Sequence, residues 1–429
     1  MPPRLSLKAF LSSARAALAA PPRSTPLTFV IGNESADLDS LCSAILCAYL
    51  RSHTPPHALH IPLANLPRAD LPLRTEMTAV LAHAGLTPSD LLTLSDLPDR
   101  FAPHNNNNNS NNPDSRPRPS EDADAGPEPR WFLVDHNALT GALRRFQPNV
   151  VGVIDHHVDE HATPASAAPR IVEPCGSCAS LVIAEYASTW ERLSSAHEPL
   201  DGPQTEPEAG QGVDARAEDE RLASLGLAPI LVDTINLTDA SKTTAKDVAA
   251  LEFLRGKTGG SALQTTAFYE DITAVKDDIS ALGLRDILRK DYKEWEEHGL
   301  RLGISAVVQN FDYLLAREAT AAGGEGAFLA AVEAWAAERG LDLASVMTVS
   351  SAGNPGDEFQ RHLLVWGVTD GGSRAVRRFA HRVGAPLGLE TWRQGMLDAE
   401  GRRVWRQMEL TASRKQVAPL LREALKEEL

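Results

Sequence analysis

The chain has little cysteine, few aromatic side chains and a shortage of positive charge. Only four cysteines occur in 429 residues, Cys42, Cys47, Cys175 and Cys178. That excludes a disulfide framework, and with no secretory leader in sight a reduced, cytoplasmic protein is expected. Cys175 and Cys178 form a C-x-x-C, but without a second pair they do not make a zinc site. Aromatics amount to 5%, and Trp295 and Trp392 read as core rather than as platforms for bases. Lys and Arg number 42 against 57 Asp and Glu, a formal net charge of −15, which argues against a nucleic-acid partner. No stretch of eighteen apolar residues exists, so no membrane span or membrane partner is expected.

What is present is a globular composition, 43% hydrophobic and 23% charged. A chain this long exceeds one ordinary core, so two domains are expected. The first thirty-three residues hold Arg4, Lys8, Arg15 and Arg23 and no acid. Two readings fit them, a mitochondrial transit peptide and a docked amphipathic helix. The stripe of Leu7, Phe10, Leu11, Ala14 and Leu18 favours the helix. Charge is uneven further on. Residues 195–220 carry eight acids and one Arg, and residues 374–415 carry ten Lys or Arg against four acids. Residues 104–130, with the run Asn105 to Asn109, and residues 195–220 read as disordered surface insertions.

Four apolar runs of strand length stand in the first 240 residues: LTFVIGN, WFLVDHN, VVGVIDHH and APILVDT. Continuous rather than alternating hydrophobicity predicts strands buried on both faces. Helical patterns lie between them over 41–51, 74–84, 177–190 and 243–254, so residues 1–255 are expected to form an α/β domain with a doubly wound parallel sheet. A Gly- and Thr-rich linker over 256–270 follows, with the character of a hinge. Residues 271–429 are expected to form a smaller α/β domain, with helices over 286–297, 326–338 and 374–382 and strands over 303–308, 345–350 and 362–368.

Each of the four runs ends in, or leads into, a potential metal ligand. The first leads into Asn33, Asp37 and Asp39; the second ends at Asp135, the third at Asp155 with His156 and His157, the fourth at Asp233. Parallel strands bring their C-terminal ends to one edge of a sheet, so these groups would meet in one crevice. Carboxylates gathered so closely repel unless cations lie among them. A mostly oxygen set with an imidazole suits Mg²⁺ or Mn²⁺. A single acid at a strand end is more often a helix cap or turn residue; four in register are not. Asp155 reads as a supporting residue behind a ligand His. Gly176 fits two roles equally, a simple turn before a helix and a point where backbone N–H groups reach a phosphate.

NESADLDS, LVDHN, VIDHH and ILVDT, in this order, resemble the four motifs of the DHH phosphoesterase superfamily. DYKEW and ASRKQVAPLL resemble the motifs of the DHHA2 second domain, in the branch that holds family II inorganic pyrophosphatases and fungal-type cytosolic exopolyphosphatases. Asn33, where pyrophosphatases have His, is similar to the exopolyphosphatase side, as are PRIVEPCGSCASLV and DYKEW. The resemblance implies two or more divalent ions. Asp39, Asp135, His156 and Asp233 would hold one, and Asp37, Asp135 and Asn33 would hold a second, with Asp135 bridging. His157, Lys293, Arg414 and Lys415 would contact phosphate, and Arg377 and Arg378 are further candidates for a polyanion. Asp39, Asp135, His157, Lys293 and Arg414 are the expected catalytic set. The implied activity is that of an exopolyphosphatase, in which water held between the ions attacks the terminal phosphorus of inorganic polyphosphate and releases orthophosphate. Short nucleoside polyphosphates are a further substrate class, and a monomer is expected. An inorganic pyrophosphatase is the nearest rival, a small-nucleotide phosphodiesterase the next, and a non-catalytic scaffold the rival of another class.

Overall fold

The computed structural model describes residues 4–21, 24–99, 101, 127–195, 214–258, 265–319, 324–350 and 359–426. The chain divides into two compact units, Met1–Val275 and Lys276–Leu429. Most of the two stretches expected to be disordered lies outside the described residues. Residues 214–220 do not, and they open a helix.

In the first unit, helix α1 (Leu7–Ala19) begins at the cap Ser6, whose side chain accepts from the Ala9 N–H. Its buried stripe is Leu7, Phe10, Leu11, Ala14, Ala17 and Leu18, the face expected of a docked helix. Strand β1 (Thr28–Ile31), helix α2 (Leu38–Ser52), strand β2 (His60–Leu63) and helix α3 (Thr75–His83) follow. Strands β3 (Arg130–Val134), β4 (Val150–Asp155) and β5 (Arg170–Val172) come next. Helices α4 (Cys178–Ser195), α5 (Ala215–Asp233), α6 (Ala245–Lys257) and α7 (Thr265–Asp277) complete the series, α7 running across the end of the unit. The five strands form one parallel sheet in the order β2-β1-β3-β4-β5. The order reverses between β1 and β3, which opens a crevice at their C-terminal ends. Both faces are covered, one by a core built on α2, α4 and α5, the other by a cluster with Phe29, Trp131 and Phe146.

One expected strand is a helix. APILVDT is the last part of α5, which buries Leu222, Leu225, Leu227, Ile230 and Leu231 around its circumference. A short apolar run bounded by turns does not distinguish a core strand from a helix buried on all sides. Here the run extends back to Ala215, and the helix packs against α2, α4 and α6. Its first turn comes from the acidic segment read as disordered. Glu218 and Asp219 are buried there, Glu218 accepting from the Leu7 N–H at 2.8 Å and Asp219 from Arg4 at 2.7 Å and Trp190 at 2.8 Å. Those acids hold α1 in place.

The second unit contains α8 (Leu284–Lys290), β6 (Tyr292–Glu297), β7 (Leu300–Val307), α9 (Phe311–Ala319) and α10 (Gly324–Arg339). They are followed by β8 (Leu343–Ser350), β9 (Gln360–Gly367), α11 (Asp370–Arg378), β10 (Leu389–Thr391), β11 (Arg402–Gln407) and α12 (Arg414–Leu425). Its sheet runs β10-β11-β9-β8-β7-β6 and is mixed, with β7 and β8 parallel. The helix expected over 286–297 stops at Lys290, and DYKEW enters strand β6. Alternating Tyr292, Glu294 and Glu296 against Lys293, Trp295 and Glu297 suits an edge strand paired on one side. Among the described residues no helix is long and apolar enough to cross a membrane.

Candidate metal centre

The turn after β1 is held at very short range. A Cβ on Gly32 would lie 2.5 Å from the Cβ of Ser40, so only glycine lets the strand end approach the first turn of α2. Asp37 is the N-cap of α2 and accepts from the Ser40 N–H at 3.0 Å. Asp39 lies in the first turn, 4% exposed. Its carboxylate also meets the N-terminus of α4, accepting from the N–H groups of Cys178 at 2.6 Å and Ala179 at 3.0 Å and from Ser177 Oγ at 2.9 Å. Two helix N-termini therefore face one buried carboxylate, an arrangement that favours negative charge.

Asp135 directly follows β3. Its backbone is left-handed, with φ 60°, and its N–H still donates to Ile154 O at 3.0 Å. Oδ2 accepts from Asn33 Nδ2 and Ser40 Oγ, each at 2.7 Å. The amide oxygen of Asn33 accepts from the Ser35 N–H at 2.9 Å, which fixes the amide with its nitrogen toward Asp135. His156 follows β4, and its Nδ1 bonds the carbonyl of Cys175 at 2.9 Å. That nitrogen must donate, so in the neutral ring Nε2 is the nitrogen that would ligate a metal. Nε2 lies 3.1 Å from Asp135 Oδ1 and 3.9 Å from Asp39 Oδ2.

His157 presents a different face. Its Nδ1 bonds Asp155 Oδ1 at 2.8 Å, and Asp155 also accepts from Asn137 Nδ2 at 2.6 Å. Burial would raise the Asp155 carboxyl, yet the hydrogen bond and charge of His157 with the Asn137 bond hold it below the usual carboxylate range. Asp155 thus braces His157 from behind. Donor atoms of Asp135, His156 and His157 all lie within 4.8 Å of one another.

Asp233 ends α5 rather than a strand, yet it reaches the same cluster. The Asp39 carboxyl is pushed well above its ordinary range by burial and then by the charges of Asp135 and Asp233, with a smaller push from Asp37, against the opposing effect of His156. Asp233 also stands at the carbonyl end of its helix, where an anion is disfavoured. Carboxylates crowded in a buried cluster, and an acid at the wrong end of a helix dipole, are the environment a divalent cation relieves. Asp37, Asp39, Asp135, Asp233 and His156 fit such a group. Asn33 touches the cluster through its NH₂.

Several supporting residues carried no signal of their own. Ser40 and Ser177 look like ordinary helix-start serines. Arg74 is 4% exposed, and its guanidinium donates to Ala36 O at 2.9 Å and Ser35 O at 2.5 Å. Those carbonyls belong to the turn that presents Asp37, in which Ala36 has φ 44°. Asp247 accepts from the N–H groups of Gly176 at 2.9 Å and Ser177 at 3.2 Å and from Ser180 Oγ at 2.7 Å. Gly176 therefore spends its N–H on a carboxylate. A Cβ there would come within 2.6 Å of Thr234 and 2.7 Å of Lys242 O.

In the second unit Lys293 lies on β6, half-buried, and Arg414 and Lys415 open α12 behind the cap Ser413. Arg414 ties the two elements together, donating to Asp291 Oδ1 at 2.7 Å. Arg377 is exposed on the last turn of α11. Arg378 is placed apart, its Nε donating to Ala424 O at 2.7 Å near the far end of α12.

Residues 28–206 match the DHH family, N-terminal domain, and residues 270–424 match the DHHA2 domain. A "putative exopolyphosphatase" of Schizosaccharomyces pombe (strain 972 / ATCC 24843) is 29% identical over 409 residues, 93% of this chain and 91% of that protein. Exopolyphosphatase PRUNE1 of Bos taurus is 28% identical over 425 residues, 97% and 79% of the two chains. A manganese-dependent inorganic pyrophosphatase of Methanothrix thermoacetophila is 22% identical over 280 residues, 65% of this chain and 69% of that one. Among solved structures, a "putative family II inorganic pyrophosphatase" of Methanococcus jannaschii superposes with a TM-score of 0.53 at 18% identity, covering 93% of this chain and 99% of that one. At that identity the likeness concerns the fold.

Proposed function

We propose, for a chain that belongs to the DHH family and joins a DHHA2 domain to it, that the activity is metal-dependent exopolyphosphatase. The observation that carries the reading is the gathering of Asp37, Asp39, Asp135, Asp233 and His156 Nε2 where the C-terminal edge of the sheet meets the end of α5. Divalent ions bound there, two of them with Mg²⁺ or Mn²⁺ as the working metals, would lower the pKa of bound water and neutralise phosphoryl charge. The chain's own residues do the rest. Asp135 is oriented by Ser40 and Asn33. Asp39 accepts from the α4 N–H groups, and a bound cation would offset the burial and neighbouring charges that push its carboxyl up. His157, braced by Asp155, would contact substrate phosphate. Lys293, Arg414, Lys415 and Arg377 supply charge for a polyanion, and Arg is suited to paired contacts with phosphate. The enzyme is expected to act as a monomer in the cytoplasm, in keeping with four free cysteines. Short nucleoside polyphosphates fit the same chemistry.

The similarity to a manganese-dependent pyrophosphatase favours pyrophosphate hydrolysis as the second reading. One panel decides between them. Phosphate release is measured on pyrophosphate, tripolyphosphate and long-chain polyphosphate with Mg²⁺, Mn²⁺ or Co²⁺. Turnover of the chains faster than of pyrophosphate is expected. Pyrophosphate alone as substrate would overturn the assignment, and silence on every substrate would favour a scaffold.

A further inference from the structure

At the opposite end of α2 and α4 from the carboxylates lies an open cavity of about 460 Å³, lined among others by Arg51, Thr54, His57, Glu185, Thr189 and Arg192. At 1.5 Å per residue, α2 puts Arg51 about 20 Å from Asp37. Nothing in the hydrolysis uses this cavity. Arg51 donates through Nη1 to Tyr186 Oη at 3.3 Å and through Nη2 to Ala168 O at 3.2 Å, and its guanidinium lies over the Phe132 ring at 5.2 Å. Those contacts fix the group, yet its Nε is buried with no hydrogen-bond partner among the described residues. Nδ1 of His57 is in the same condition. His57 is itself set by a turn, its N–H donating to Thr54 O at 2.8 Å with φ 61°. Arg192 Nη2 donates to Thr189 Oγ1 at 2.9 Å, which in turn lies 3.1 Å from Thr54 Oγ1.

Two guanidiniums, an imidazole and the hydroxyls of Thr54, Tyr186, Ser188 and Thr189 thus line one hollow beside a single carboxylate, that of Glu185. Each guanidinium has five N–H donors, of which the bonds to Tyr186, Ala168 and Thr189 use two on Arg51 and one on Arg192, and an acceptor-only ligand can take others. The carbonyl end of α2 works against an anion there, and paired guanidiniums outweigh it. We infer that this cavity is a second oxyanion site, separate from the metal centre, that takes inorganic orthophosphate. The inference goes beyond the proposed activity and does not depend on it.

The test is a titration of the full chain with inorganic phosphate in EDTA, followed by calorimetry, so that the metal centre cannot contribute. The wild type is expected to show one saturable site. Lys293→Gln/Lys415→Gln should bind equally well, and Arg51→Gln/Arg192→Gln about tenfold or more weakly. Arg51 has structural contacts, so Arg192→Glu at an exposed position is the second variant, with the same loss expected in a protein whose thermal unfolding is unchanged. No saturable binding by the wild type would overturn the inference. So would equal affinity in both Arg variants, or a loss confined to the Lys pair. No hydrolysis is read, so these outcomes are distinguishable from failure of the exopolyphosphatase reading.

Discussion

Asp135 shows how much one side chain is asked to do. It occupies a left-handed backbone position, takes two hydroxyl or amide donors on one oxygen and lies 3.1 Å from His156 Nε2 with the other. Asn tolerates that backbone region, so Asp135→Asn isolates the charge. Its phosphate release with Mg²⁺ or Mn²⁺ should fall by more than the roughly 10–100-fold seen when a residue behind a metal ligand is lost, while the far-UV spectrum is retained. Arg74 acts at one remove. Arg74→Ala leaves the buried carbonyls of Ser35 and Ala36 without their donor, a cost of about 1–3 kcal/mol, and loosens the turn that presents Asp37. A lower urea midpoint together with weaker metal binding by calorimetry is expected; a change in neither would show that the turn holds itself. His60 is buried on β2 and its pKa is lowered to about 4 by burial, against the opposing bond to Ala58 O. The unfolded chain then takes up a proton that the folded chain refuses between pH 6.5 and 4. The contribution of neutral His60 is full above pH 6.5 and is lost as pH falls through that window, about 3 kcal/mol at its limit. His60→Gln should flatten the fall in urea stability between pH 7 and pH 4.5 relative to wild type.

At the scale of elements, the N-terminus of α4 is the joint on which the centre hangs. Asp247 fixes it from one side through Gly176, Ser177 and Ser180, and also accepts from Thr244 N at 2.8 Å at the start of α6. From the other side Asp39 accepts the next two N–H groups. Gly176→Ala would drive a methyl into the Lys242 carbonyl and the Thr234 methyl. Because one of the colliding atoms is backbone, the strain is about 1–3 kcal/mol, to be read as a lowered thermal midpoint. The shift of α4 should weaken metal binding as well. An unchanged midpoint would mean that this segment yields more easily than its packing suggests. Helix α1 is an integral part of the same unit, since the acids Glu218 and Asp219 of α5 anchor its first turn and Arg4.

For the whole molecule, the two units carry their own apolar cores, one on each face of each sheet. The metal centre proposed for the first unit rests on described residues at its own sheet edge and at the end of α5. Deleting residues 105–126, within the Asn-rich stretch, should leave turnover within about twofold, because loop-closure cost varies only slowly with length. A large loss on polyphosphate, with folding intact, would give that stretch a part in substrate binding.

Much of this protein was written locally. The runs at β1, β3 and β4 and the acids that end them follow from residue order alone, because a buried parallel strand needs unbroken apolar residues and its C-terminal edge collects what comes next. The stripe of α1 was equally legible. Other features depend on neighbours distant in the chain. APILVDT is helical because α2, α4 and α6 surround it, and local pattern carries no such information. The acids at 218–219 are buried because Arg4 and the start of α1 supply partners from 215 and 211 residues away, and Trp190 from 29 residues away. The orientation of the Asn33 amide, the placing of His156 Nε2 beside Asp135 and the hollow around Arg51 were likewise decided only by folding. Each is a hydrogen bond made or left unmade between elements, and sequence spacing does not encode that geometry.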